Sequence, residues 1–251
     1  MKITGNTILI TGGTSGIGHA LAEAFYELGN EVIITGRRHE RLEEITAGRP
    51  GFTGIHLDVS NPASHERLAS RIGKGFPHLN ALIANAGISR LEDMTADDWD
   101  TADAEEIVTT NILGVMRIAA ALLPVLKQQP QATFMATSSA LAFIPRADFP
   151  TYCASKAFLH SWLQSLRHQL RSTSVEVLEL SPPYVRTTLT GAHQITDPRA
   201  MPLEDYTAEV MDLLARKEHP LGEILLEGDL ARRWAERDGT YEALFAGMNP
   251  G

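Results

Sequence analysis

Cysteine is nearly absent from this chain. Cys153 is the only one among 251 residues, so no internal disulfide can form, which fits a reducing, cytoplasmic setting. The nine histidines lack metal-site spacing: there is no His-Glu-x-x-His and no paired Cys/His, so no metal is expected, and His19, His39, His56 and the others read as solvated or incidental. No apolar run approaches the roughly 20 residues that cross a bilayer. The start, MKITGNTILITGG, enters a strand-like run at once and has no signal-peptide layout, so no membrane partner is expected. Basic residues are in the minority, 22 against 31 acidic ones, for a net charge of −9. Such a surface repels phosphate backbones and argues against nucleic acid. Gly/Ser-rich linkers, repeats and low-complexity segments are missing too, which points to one domain over residues 1–251.

What the chain does have is rhythm. Short apolar runs at 6–13, 31–36, 52–60, 79–87, 132–139, 174–183 and 222–228 read as strands, and amphipathic segments between them read as helices. Among the helices are long stretches at about 103–127 and 151–171, and the tail at about 229–248 also reads as helical. Strands that are continuously apolar are covered on both faces. The alternation therefore predicts an α/β fold: a single-domain, Rossmann-type, doubly wound parallel sheet of about seven strands with helices on both faces. Ligands of such sheets sit beyond the strand C-termini.

The residues that follow each strand are therefore the ones to read. After the first strand, TGGTSGIG places Gly12, Gly16 and Gly18 at the mouth of a helix, where a pyrophosphate can approach bare backbone and free N–H groups. The second strand ends ITGRRHERL. Gly36 stands where an acid would bind an adenosine ribose diol, and Arg37 and Arg38 follow, a guanidinium being suited to a 2′-phosphate. NADP(H) is therefore the preferred cofactor, with NAD(H) as the alternative. Tyr152 and Lys156 stand four apart, on one face of a helix.

With Asn85-Ala86-Gly87 after the fourth strand, Asn111 in the long helix, Ser139 13 residues before Tyr152, and Asp58-Val59, this pattern resembles the short-chain dehydrogenases/reductases from about residue 5 to 228. The opening and tail look most like a bacterial subgroup of oxidoreductases related to those of teichoic-acid alanylation operons. The resemblance implies hydride transfer between a nicotinamide and a carbonyl or secondary alcohol. Tyr152 would be the acid/base, and Lys156 would lower its pKa and hold the nicotinamide ribose. Ser139 would hold the substrate oxygen, and Asn111 would anchor a water on a proton relay. It also implies cofactor contacts from Gly12, Thr14, Ser15, Gly16, Ile17, Gly18, Asp58, Val59, Asn85, Ala86, Gly87, Pro182, Val185 and Thr187. Here Pro183 and Tyr184 depart from the family's Pro-Gly, which stiffens the turn facing the nicotinamide.

Residues 188–204 are expected to form a substrate lid. Leu141, Phe143, Ile144, Phe149 and Tyr184 are expected to give an apolar pocket wall for a small-molecule substrate, with Arg90 and Arg146 as anion contacts; a packed loop explains the same residues equally well. In this family the two long helices pair between subunits, so a homodimer is expected, with a tetramer also open. The alternative from another class is a non-catalytic NADP-binding sensor or scaffold of the same fold.

Overall fold

The computed structural model describes residues 1–217, 219 and 221–250. Strand β1 (Thr7–Thr11) is followed by α1 (Gly16–Glu27), β2 (Glu31–Gly36), α2 (His39–Thr46), β3 (Phe52–His56), α3 (Pro62–Gly75) and β4 (Leu79–Ala84). The second half holds α4 (Ala102–Ile107), α5 (Gly114–Leu126), β5 (Ala132–Thr137), α6 (Pro150–Leu170), β6 (Val175–Leu180), α7 (Leu203–Arg216), β7 (Glu223–Ile224), α8 (Leu230–Arg233) and α9 (Tyr241–Met248). The seven strands pair in the order β3-β2-β1-β4-β5-β6-β7, all in parallel.

Alternation along each strand sends neighbouring side chains to opposite faces. In β1, Leu9 joins a core with Leu68 and Ile72 of α3, Leu122 of α5 and Leu163 of α6. Ile8 and Ile10 join a second core with Leu21 and Phe25 of α1, Leu42 of α2 and Tyr206 of α7. Both faces are dry, which is why the strands read as unbroken apolar runs. The order reverses between β1 and β4, and the crevice at such a switch point is where these sheets place a ligand.

Several boundaries differ from the sequence expectation. β3 stops at His56, because Asp58 Oδ1 accepts from Ser60 N (3.0 Å) and Ser60 Oγ (2.7 Å) and turns the chain there. β7 is only Glu223–Ile224, and the residues beyond it wind into a short turn at Glu227–Asp229. The tail is two helices, broken near Gly239, which has a positive φ of 69°. Between α4 and α5 the helix widens into a π-helical stretch, Val108–Leu113, so helical structure runs from Ala102 to Leu126 without a gap. By length and composition this helix could also cross a membrane. Its Val115, Ile118, Ala119, Leu122 and Leu126 are packed into the sheet core.

Candidate active site

The glycine turn begins as β1 ends. Gly12 (φ +68°) and Gly16 (φ +55°) take the left-handed conformation that side chains disfavour, so the chain can reverse sharply into α1. Gly13 N donates to Thr35 O (3.1 Å), tying the turn to β2. A Cβ on Gly16 would lie 3.4 Å from Thr187 Cγ2, so the turn after β6 closes over it.

Thr11 and Asn85 lock the strand ends together. Thr11 Oγ1 accepts from both Asn85 N and Ala86 N at 3.0 Å. Asn85 Nδ2 donates to Thr11 O (3.3 Å), and Asn85 Oδ1 accepts from Thr137 Oγ1 (3.3 Å), so one side chain spans β1, β4 and β5. Thr11→Val keeps the shape but leaves two buried N–H groups without an acceptor. It should cost about 2 kcal/mol in urea unfolding, from the roughly 1–3 kcal/mol penalty of an unsatisfied group.

These elements surround one cleft of about 450 Å³. Gly12, Thr14, Ser15, Gly16 and Ile17 border it from the first turn, and Arg37 and Arg38 from the end of β2. Asp58 and Val59 border it from beyond β3, and Asn85, Ala86 and Gly87 from beyond β4. Ser139, Tyr152, Lys156, Pro182, Val185 and Thr187 complete it. The arginines are exposed, with Arg38 Nη2 3.5 Å from Thr14 Oγ1. Thr35 borders the same end with a buried hydroxyl that has no hydrogen-bond partner among the described residues. Burial pushes the Asp58 carboxyl up, but the Ser60 hydrogen bonds, Arg37 and His56 outweigh it and leave it below the ordinary value.

At the other end stand the reactive side chains. Ser139 closes β5 in an extended conformation and caps the next turn, its Oγ accepting from Leu141 N at 3.1 Å. Tyr152 and Lys156 enter from α6, with Lys156 Nζ 5.5 Å from the centre of the Tyr152 ring. Lys156 Nζ donates to Thr137 O at 2.8 Å. A Cβ on Gly87 would meet Asn111 Oδ1 at 3.3 Å and Lys156 Nζ at 3.5 Å, so glycine leaves room where these two converge. Burial pushes the Tyr152 phenol up to about 12, with the facing Ser139 hydroxyl acting against it. Burial likewise pushes Lys156 down to about 8, with Glu179 acting against it. The expected lowering of the tyrosine by its lysine is thus not what this arrangement shows. Both groups are desolvated, and the amine is directed at a carbonyl.

Other expectations are corrected. Leu141, Ile144, Phe149 and Tyr184 do not line the cleft. Ile144 is fully buried; Phe149 packs with Cys153 and Leu141; the Tyr184 hydroxyl turns away to Asp197 Oδ2 at 3.3 Å. Arg146 is held by Asp148 and leans on Phe149, whereas Arg90 does reach the cleft while paired to Glu106. Asn111 and Gly18 stand behind the lining. Asn111 is fully buried in the π-helical stretch. Its Nδ2 donates to Ile88 O (2.9 Å) and Ser155 Oγ (3.0 Å), and its Oδ1 accepts from Ile88 N (2.9 Å). Its amide therefore braces α6 and the loop after β4, and both N–H groups are taken rather than open to a water.

The sequence reading missed Ile88, Thr110, Ser138, Leu189 and Gln194 in the lining. Gln194 is the informative one: its Nε2 donates to Val185 O (2.6 Å) and its Oε1 accepts from Thr190, which folds the 188–204 segment back on the cleft. A polar residue between Pro and Gly breaks carries no sequence signal for that.

Residues 6–197 match the family model for short chain dehydrogenase. The chain belongs to the short-chain dehydrogenase family. It is 40% identical over 256 aligned residues to the uncharacterized oxidoreductase DltE of Bacillus subtilis (strain 168), covering 99% of this chain and 98% of that one. It is similar in structure to the closed form of a serine dehydrogenase complexed with NADP+, with a TM-score of 0.75, 27% identity, and coverage of 82% of this chain and 88% of that one. A short chain dehydrogenase from Burkholderia cenocepacia J2315 in complex with NADP shares the fold, with a TM-score of 0.83 over 99% of both chains at 24% identity. As a short-chain dehydrogenase with oxidoreductase relatives, the protein is an oxidoreductase of the CH–OH/C=O class.

Proposed function

We propose that the protein is an NADP(H)-dependent carbonyl reductase, acting in the cytoplasm as a homodimer on a small substrate whose carbonyl docks between Ser139 and Tyr152. The observation that carries this is the polarity of the cleft. A glycine turn and two arginines stand at one end, and Ser139, Tyr152 and Lys156 at the other. The cradle fits a dinucleotide: Gly12 and Gly16 remove side chains from its floor, Gly36 supplies no competing acid, and the unpartnered Thr35 hydroxyl borders the end that would take the adenosine. Arg37 and Arg38 would hold the 2′-phosphate. The serine dehydrogenase similar to this chain was solved with NADP+, which supports the same cofactor.

When bound, the reduced nicotinamide supplies hydride to the carbonyl carbon. The chain's own part is the oxygen. Ser139 Oγ hydrogen-bonds it, and Tyr152 Oη gives it a proton as negative charge develops. A phenol pushed up to about 12 holds that proton at neutral pH, which favours reduction over alcohol oxidation as the resting direction. Lys156, an ammonium below about 8, stabilises the phenolate left behind. Exposed Val108, Met116 and Phe158 on the two long helices support the dimer, which would cover them.

Matched titrations with NADPH and NADH test the cofactor. Arg37→Ala should weaken NADPH by about 10–100-fold, the value of a hydrogen bond to a charged group, while NADH binding is unchanged. Equal affinity for the two cofactors in the unaltered protein would overturn the preference. A carbonyl panel read by NADPH consumption tests the reaction; binding with no carbonyl-dependent oxidation would favour a non-catalytic sensor.

A further inference from the structure

Behind the reactive wall lies a set of charged side chains that the reaction above does not use. Glu179, in β6, is fully buried between the sheet and α6. Acidic side chains are almost never fully buried unless paired. This one accepts a hydrogen bond from Ser138 Oγ at 2.5 Å and meets His160 Nδ1 at 2.8 Å. Both partners belong to catalytic elements: Ser138 immediately precedes Ser139, and His160 lies one helical turn after Lys156 on the same face of α6. His160 is therefore not incidental. Its other ring nitrogen meets Gln164 Nε2 at 2.7 Å, and Phe143 packs edge-on against the ring at 5.1 Å.

The charged groups around Glu179 are Lys156 and Arg167 of α6, with Glu223 of β7 and Arg233 of α8 beyond His160. His160, Glu179 and Glu223 bring their ligating atoms within 4.8 Å of one another, as a metal site would. Glu223, however, places its oxygens 2.9 and 2.7 Å from Arg233 Nη2 and Nε, so the cluster is wired as an ion-pair network. Arg167 is directed to the carbonyls of Val177 (2.9 Å) and Gly222 (3.1 Å). Lys156 touches a neutral carbonyl, and the carboxylate whose field reaches it is Glu179.

We propose that Glu179 is a positioning residue for the proposed reductase: clamped by Ser138 and His160, its buried carboxylate is the counter-charge that keeps Lys156 an ammonium beside Tyr152. The arrangement explains why a carboxylate stands in the middle of an otherwise apolar sheet. Without it, Lys156 would face desolvation with only the Thr137 carbonyl to oppose it. Because Ser138 and Ser139 are neighbours, the same clamp also fixes the strand end that presents the substrate-binding hydroxyl.

The test reads Lys156 directly. The chain has five lysines, so protein labelled with [13Cε]lysine gives few resonances, and Lys156→Met identifies the one of interest. In the full chain without added cofactor, Glu179→Gln should lower the Lys156 titration by about one pH unit or more, the effect of removing a nearby opposite charge. Glu179→Asp should restore it. An unchanged Lys156 titration in folded Glu179→Gln protein overturns the proposal. If Glu179→Gln does not fold, the unaltered protein labelled with [13Cδ]glutamate still decides: the Glu179 resonance should inflect at the pH where Lys156 titrates, and no inflection there overturns the proposal. No turnover is measured, so a protein that reduces no carbonyl leaves this result standing, and an unchanged Lys156 leaves the reductase reading standing.

Discussion

Tyr152→Phe should lower NADPH-dependent carbonyl reduction by about 10²–10⁴-fold, the usual contribution of a positioned general acid, and leave NADPH affinity unchanged. The substitution removes one oxygen and keeps the ring, which is 7% exposed and packed with Phe149 and Cys153. The fold therefore has no reason to respond, and loss of rate isolates proton donation. Ser139 would still hold the carbonyl oxygen, so some reduction should survive, with water as a poorer acid. The same site sets the pH profile. Lys156 has its folded value lowered by burial to about 8, so it is an ammonium below that pH and an amine above it. Reduction needs the ammonium beside the phenolate, so kcat should be level from pH 6 to about 7.5 and fall as pH rises through about 8. Steady-state rates of both forms across pH 6–10 check both statements. Full activity in the phenylalanine variant would remove Tyr152 from proton transfer, and a level profile through pH 9 would remove the charge on Lys156 from it.

The second large effect belongs to Gly18. A Cβ there would lie 2.4 Å from Asn85 Nδ2 and 2.6 Å from Gly12 O. Neither neighbour can move aside. Asn85 is bound to Thr11 and Thr137, and the Gly12 carbonyl is backbone at the pivot of the turn. Gly18→Ala must therefore open the turn itself. Overpacking of this kind costs about 1–3 kcal/mol. Carried onto the cofactor-binding conformation, the upper part of that range lowers NADPH affinity by about 100-fold. Fluorescence titration of NADPH and urea unfolding read the two parts separately. Gly73→Ala in α3 is the control: no atom lies within 4 Å of its Cβ, so it should leave NADPH binding alone and stabilise the helix by about 0.5–1 kcal/mol. Unaltered NADPH binding in Gly18→Ala would show that the turn does not hold the cofactor.

How far the sequence could be read depends on what each residue touches. The sheet was legible because all seven strands are short apolar runs between helical segments, and burial on both faces leaves no polar alternation to confuse the pattern. The residues around the cleft were legible because backbone demands or chemistry restrict them: glycines at positive φ, and a tyrosine and lysine one turn apart. The pocket wall was not. Leu141, Ile144 and Phe149 have the composition of a binding surface and equally that of a core, and only the path of the loop before α6 sends them inward. Glu179 was invisible for a related reason. A charge in a strand reads as an exposed position, and the partners that bury it, Ser138 and His160, are 41 and 19 residues away. The pKa shifts also lay beyond the sequence, because desolvation depends on how completely α6 is covered.

The π-helical stretch has a further consequence. A π turn carries more residues than an α turn, and here Ile107 and Val115 both stay in the core while Asn111, midway between them, addresses the loop after β4. In the language of insertions and deletions, this helix is not a spacer whose length can drift. Removing any one residue from 108–113 would wind the stretch back into an ordinary helix and turn everything from Gly114 to Leu126 by about 100°. The apolar ridge on the sheet and the amide that braces the catalytic helix would then fall out of phase together, whichever residue was lost.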